Sequence, residues 1–161
     1  RKAGFGQTGE TWRVEGRSPE NLGAGRRPAA AQDRDRFCQS EAAANGYAKP
    51  AFMAAWTKDT DTRKTFTLGS AFATVRRCGR GAKIGPLVAG TLEEAHVLLQ
   101  AIAASFPADP FIIDVPDDQA GLTALCRDWG MEASFNTARM YRGPAPTPGP
   151  GIRSIATLEL G

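Results

Sequence analysis

Hydrophobic and polar positions change period several times along this chain, and each change predicts an element. Residues 47–57 (YAKPAFMAAWT) place Phe52, Met53 and Trp56 on one helical face. Pro50 stands at the start of that helix, where its fixed φ suits the first turn. Residues 65–68 and 71–77 read as two strands around Gly69-Ser70, a hairpin turn. Gly79-Arg80-Gly81 then turns the chain into an apolar strand over 83–89.

The clearest helix spans 91–106. Thr91 and Glu94 have the spacing of a capping box. Leu92, Ala95, Leu99, Ile102 and Phe106 recur at helical spacing as a core-facing stripe, and Pro107 and Pro110 end it. Residues 111–115 are almost wholly apolar, as suits a strand in a sheet covered on both faces. Asp117 or Asp118 is expected to cap a second helix that buries Leu122, Leu125, Cys126 and Trp129 and closes at Gly130. Residues 132–142 and 152–160 read as strands joined by the Pro/Gly-rich loop 143–151.

Upstream the pattern is thinner. Residues 11–15 alternate as a strand does, whereas 17–36 are polar, rich in Gly, Ala, Pro and Arg, and have little to bury. The packed domain is therefore expected to begin near Phe37. The predicted order is helix, hairpin, strand–helix–strand–helix, then two strands. That is an α/β domain whose mixed sheet holds a central parallel β-α-β unit of right-handed crossover. Ligands in such sheets sit at the carboxyl ends of the strands, marked here by Gly90 and Pro116.

Composition adds limits. The chain has 161 residues, 42% hydrophobic and 23% charged, values of an ordinary globular domain plus a tail. A net charge of +3, concentrated before Ala29 and over 76–83, is too small for a nucleic-acid face and suits a small anion better. No apolar run approaches membrane-spanning length. Cys38, Cys78 and Cys126 are odd in number and far apart, which argues against a disulfide framework or zinc site and fits a reducing cytoplasm. A first residue of Arg1 suggests the downstream piece of a longer protein.

The candidate chemistry gathers at a few positions. At Ala89-Gly90-Thr91 a strand ends as a helix begins, a junction that aims backbone N–H groups at one spot and can hold a phosphate. Glu93 and Glu94 put negative charge in the same helical turn and compete with an anion there. Asp114, inside an apolar strand, is either a buried general base or a carboxylate that caps a neighbouring turn or pairs with Arg76 or Arg139. Tyr141, between Arg139 and Arg142, is either a general acid or a packed strand aromatic. Arg76 and Lys83, on consecutive strands, either bind an anion or are solvated sheet charge. His96 reads as a partly buried structural histidine, and Trp56 and Trp129 as core.

Three segments carry a family resemblance: Lys83-Ile84-Gly85-Pro86-Leu87-Val88-Ala89, Ile113-Asp114-Val115-Pro116 and Ala138-Arg139-Met140-Tyr141-Arg142-Gly143. With the element order they resemble the GCN5-related N-acetyltransferase (GNAT) superfamily, and in particular the C-terminal GNAT-like domain of tandem two-domain acetyltransferases. The resemblance covers 37–161 and implies a mostly antiparallel sheet with helices on both faces. It implies that 1–17 are the end of a preceding GNAT domain and 18–36 a disordered linker. Acetyl-CoA, with no metal, is then expected between the strands at 83–89 and 111–115. Leu87, Val88 and Ala89 would meet the pantetheine, Leu87-Val88 would also supply an oxyanion donor, and Gly90 and Thr91 would meet the pyrophosphate.

The reaction implied is acetyl transfer to a small-molecule or peptide amine, with Tyr141 as acid and Asp114 as base. Direct transfer depends on positioning, so no nucleophilic residue is required. Two departures support an alternative reading. The family's Arg/Gln-x-x-Gly-x-Gly/Ala loop has no counterpart in Val88-Ala89-Gly90-Thr91, and Cys126 stands where a Tyr acid is common. The alternative is a catalytically degenerate domain that shapes the substrate cleft or binds an effector for its partner domain, with neither nucleic acid nor membrane involved.

Overall fold

Alternation of apolar side chains along β4 (Ala71–Cys78), β5 (Gly81–Val88) and β6 (Phe111–Pro116) gives the sheet two buried faces. A computed structural model describes residues 4–17, 29–30, 34–107 and 109–159, without the side chains of 29, 30 and 34. On one face Ala73, Val75, Ile84, Leu87, Phe111, Ile113 and Val115 meet α3 (Leu92–Ser105) and α4 (Ala120–Asp128). On the other, Phe72 and Val88 meet α1 (Arg34–Asn45) and α2 (Pro50–Trp56) through Phe37, Ala44 and Met53. The remaining strands are β1 (Phe5–Gly16), β2 (Ala29–Ala30), β3 (Arg63–Leu68), β7 (Glu132–Arg142) and β8 (Ile152–Ser154).

The sheet order is β2-β3-β4-β5-β6-β1-β7, with β8 paired to β5. Among the described residues only β5 and β6 run parallel, joined by the α3 crossover, and every other pairing is antiparallel. The mixed, mostly antiparallel sheet with a central parallel pair and helices on both faces is the one the sequence predicts. The hairpin at Gly69-Ser70, where Gly69 has φ +60°, and the capping box at Thr91–Glu94 also stand where expected.

Several expectations change. Residues 5–16, assigned to a preceding domain, form the strand between β6 and β7 of this same sheet. Of 18–36, residues 29–30 pair with β3 and 34–36 open α1, while 18–28 and 31–33 lie outside the described residues, as do 1–3. The final strand is three residues long rather than running from 152 to 160. Leu92 is 39% exposed and leaves the α3 stripe, its place in the core taken by Leu98. Neither Asp117 nor Asp118 caps α4, which starts from Gln119 without a side-chain cap. Asp117 instead accepts the Glu10 N–H at 3.0 Å and ties β1 to the end of β6.

Candidate functional site

The parallel pair is short. β5 and β6 are in register only from Ala82↔Phe111 to Ile84↔Ile113. Beyond this, Gly85 and Pro86 both stand opposite Thr74 of β4, because the register steps from Val75↔Ile84 to Ala73↔Leu87. Such a bulge bends its strand away from its neighbour, and the two strands fork. The Gly85 carbonyl, released from the ladder there, accepts the Trp56 Nε1–H at 2.8 Å.

The fork is where the sequence expects acetyl-CoA, and β8 fills it. Leu87 pairs with Ser154 and Val88 with Ile152, while the Ala89 N–H donates to Gly151 O at 2.9 Å. On the other side the Ile155 N–H donates to Asp114 O at 3.1 Å, so residues 151–155 bridge both tines. Gly85 is required at this approach: a Cβ would run into the Ile155 carbonyl, and its φ is +155°.

The strand-to-helix junction is also occupied. Thr91 N–H donates to the Glu94 carboxylate at 3.0 Å, and Glu94 N–H to Thr91 Oγ1 at 3.1 Å. Arg153 donates to Ala89 O (3.1 Å), Gly90 O (2.9 Å) and Gln119 Oε1 (2.9 Å). A nucleotide pyrophosphate needs those N–H groups free and no carboxylate against them. Leu87, Val88, Ala89, Gly90 and Thr91 are thus brought together as expected, but the arrangement does not fit acetyl-CoA. The Ala89 and Thr91 N–H groups and the Ala89 and Gly90 carbonyls are engaged within the chain.

Asp114 is fully buried and pairs with neither Arg76 nor Arg139. Arg13 of β1 holds it in a fork at 2.8 and 3.0 Å, and Lys83 donates to the same carboxylate. Both oxygens are engaged by cations, which leaves a base role without a free oxygen. Burial is the first cause that lowers the Lys83 pKa, against the opposing pull of Asp114, and the bond to Asp114 raises that of Arg13.

Tyr141 lies elsewhere. It pairs with Gly6 of β1, whereas Asp114 pairs with Arg13, so the two are roughly 20 Å apart along that strand at about 3.3 Å per residue. The expected acid and base do not share a centre. Tyr141 lines a cleft of about 590 Å³ between β7 and the α1–α2 connection, with Tyr47, Lys49, Thr137, Arg139 and Glu159. Behind it, fully buried Glu41 accepts from Lys49 at 2.8 Å and from the Asn45 amide.

Cys126 is 1% exposed, and burial pushes its thiol up to about 12, so it is core rather than an acid at neutral pH. His96 is half-buried against Trp129, their rings 5.8 Å apart. Trp129 is core as read, but Trp56 is half-exposed and carries Arg63 and Arg76 over its ring at 4.9 and 5.2 Å. Sequence reasoning missed Arg13, Glu41 and Arg153. Only the strand alternation at 11–15 hinted at one of them, by placing Arg13 opposite in facing to Trp12 and Val14. Among the described residues no helix is long and apolar enough to cross a membrane, and no cluster of His, Cys, Asp and Glu could hold a metal.

Comparison with solved structures finds the same fold. A protein from Pyrococcus horikoshii, provisionally assigned as an acetyltransferase, superposes with TM-score 0.71 at 18% identity, over 94% of this chain and 52% of its own. GCN5-related N-acetyltransferases from Kribbella flavida and Anabaena variabilis each give 0.54, at 19% and 18% identity, over 86% and 87% of this chain. This chain covers 38% and 42% of those two, so it spans about half or less of these proteins' lengths. No curated protein matches at a significant level. Residues 37–151 match the acetyltransferase (GNAT) domain family, more than half of the chain, and the chain belongs to that family.

Proposed function

We propose that this chain is the half of an acetyl-CoA-dependent N-acetyltransferase that does not itself hold acetyl-CoA. It shapes the amine cleft, or carries an effector, for a preceding GNAT domain of the same polypeptide, in a cytoplasmic protein that acetylates a small-molecule or peptide amine. The observation that carries this reading is β8 in the β5–β6 fork, where backbone groups that a pantetheine arm would need are paired with residues 151–155. The family supplies the general reaction, transfer of acetyl from acetyl-CoA to an amine. Solved relatives about twice this chain's length leave room for the second domain.

The test is a thermal-stability titration of the purified chain with acetyl-CoA. A ligand that binds only the folded state adds RT ln(1 + [L]/Kd), about 2.7 kcal/mol at a hundredfold excess over Kd. For a domain of this size that raises the midpoint by roughly 5–10 °C. No rise at millimolar acetyl-CoA is expected. A saturable rise would instead place acetyl-CoA on this half and overturn the reading.

A further inference from the structure

We infer that a cavity on the α1/α2 face of the sheet, walled by Arg13, Arg76, Arg80 and Lys83, binds the oxyanion of a small ligand, a phosphate or carboxylate group. The cavity is about 330 Å³, and among the described residues Glu159 is the one carboxylate in its wall against those four cations. It lies at the start of β5 and β6, away from the fork that β8 fills, so the inference stands apart from the acetyl-CoA reading.

The register places the cations deliberately close. Arg63 pairs with Arg76 across β3 and β4, and Arg76 pairs with Lys83 across β4 and β5. Like charges directly opposite on adjacent strands oppose folding, and here three stand in a row. Lys83, at 5% exposed, is not solvated sheet charge, and Arg63 and Arg76 are partly covered. Asp114 answers Lys83 but is shared with Arg13, and Arg80 reaches Glu15 only at 3.4 Å in an exposed pair. Among the described residues no carboxylate pairs with Arg76.

Arg76 also has a donor to spare. Its Nε is buried and has no hydrogen-bond partner, although Trp56 holds the guanidinium from one side. A buried N–H on a charged group is costly to leave unmade, and the guanidinium fork matches an oxyanion's geometry. Arg80, in the β4–β5 turn, and Arg13, from β1, close the opposite walls. An oxyanion in this space would give the guanidinium charge of Arg76, which no carboxylate answers, a counter-ion. The volume is that of a small-metabolite site.

The experiment is calorimetric titration of the chain with inorganic phosphate and, separately, with acetate, each against chloride at matched ionic strength. Saturable binding of one or both is expected, phosphate against acetate showing which oxyanion the walls prefer. Arg80→Gln tests the wall with an exposed residue that the fold does not need. Arg76→Gln removes the charge at the wall that no carboxylate answers, and Lys58→Gln removes one positive charge at an exposed position outside the cavity. Both arginine variants are expected to raise Kd about tenfold, the loss of one charge-assisted hydrogen bond, with Lys58→Gln unchanged. No saturable binding of either anion, or an equal loss in all three variants, overturns the inference. Because neither probe contains coenzyme A, its failure is distinguishable from failure of the acetyl-CoA reading.

Discussion

Arg13 and Asp114 face each other across β1 and β6, with the guanidinium forked onto the carboxylate at 2.8 and 3.0 Å. This pair joins the chain's first strand to its central parallel unit, and Lys83 brings β5 into the same cluster. Breaking a buried ion pair by removing one partner leaves the other uncompensated, at about 3–5 kcal/mol. Asp114→Asn strands two cations at once and is expected to lose stability in that range, measured by urea unfolding. A loss below about 1 kcal/mol would mean that the cluster holds nothing together.

Arg153 anchors β8 through three acceptors in the β5–α3 and β6–α4 connections. Arg153→Ala should leave the fold intact while β8 opens more often. Amide exchange of Ala89, whose N–H rests on Gly151, is then expected to accelerate by about tenfold for each 1.4 kcal/mol of lost local stability. Gly85→Ala should act more strongly, since its new Cβ meets the Ile155 backbone directly. Unchanged exchange at Ala89 in both variants would show that β8 does not depend on these contacts.

The elements legible in the sequence were those set by near neighbours. The Thr91–Glu94 capping box and the Gly69-Ser70 hairpin need only residues within a turn of each other, and both stand as read. Helix α1 was not legible, because its buried stripe is Phe37, Glu41, Ala44 and Asn45, half of it polar. Its buried Glu41 is answered by Asn45 and by Lys49 from the α1–α2 connection. The fork shows the same limit. The segment from Lys83 to Ala89 is shaped as the family's cofactor strand, but what fills the space beside it comes from more than sixty residues further on. Arg76 and Lys83 were visible as charges on consecutive strands; their burial depended on β1, β6 and α2 closing around them.

Cys126 offers a pH test. Its thiol is held at about 12 by burial against 9.0 for an exposed cysteine. Between these values the unfolded chain ionises and the folded one does not. A group raised on folding contributes stability present below pH 9 and lost as pH rises toward 12, at no more than about 1.4 kcal/mol per pH unit. Cys126→Ala should therefore lose less stability than the parent between pH 9 and 11, despite a small cavity cost at neutral pH. Parallel pH profiles for the two proteins would refute the assignment.

Trp56 serves two roles that two substitutions can separate. Its Nε1–H is the partner of the Gly85 carbonyl at the bulge, and its ring lies beneath both Arg63 and Arg76. Trp56→Phe keeps an aromatic face and removes the donor, so the bulge carbonyl is left unpaired at a cost of about 1–3 kcal/mol. Trp56→Leu also removes the ring face, about 0.5–1 kcal/mol for each cation over it. Urea unfolding should therefore rank the parent above Trp56→Phe, and Trp56→Leu lowest. Adding phosphate should narrow the gap between the parent and Trp56→Phe little, because Arg76 is still held in place. It should widen the gap to Trp56→Leu, where Arg76 loses the ring that holds it at the cavity wall. Equal phosphate stabilisation of all three proteins would show that Trp56 supports the fold alone and does not position Arg76.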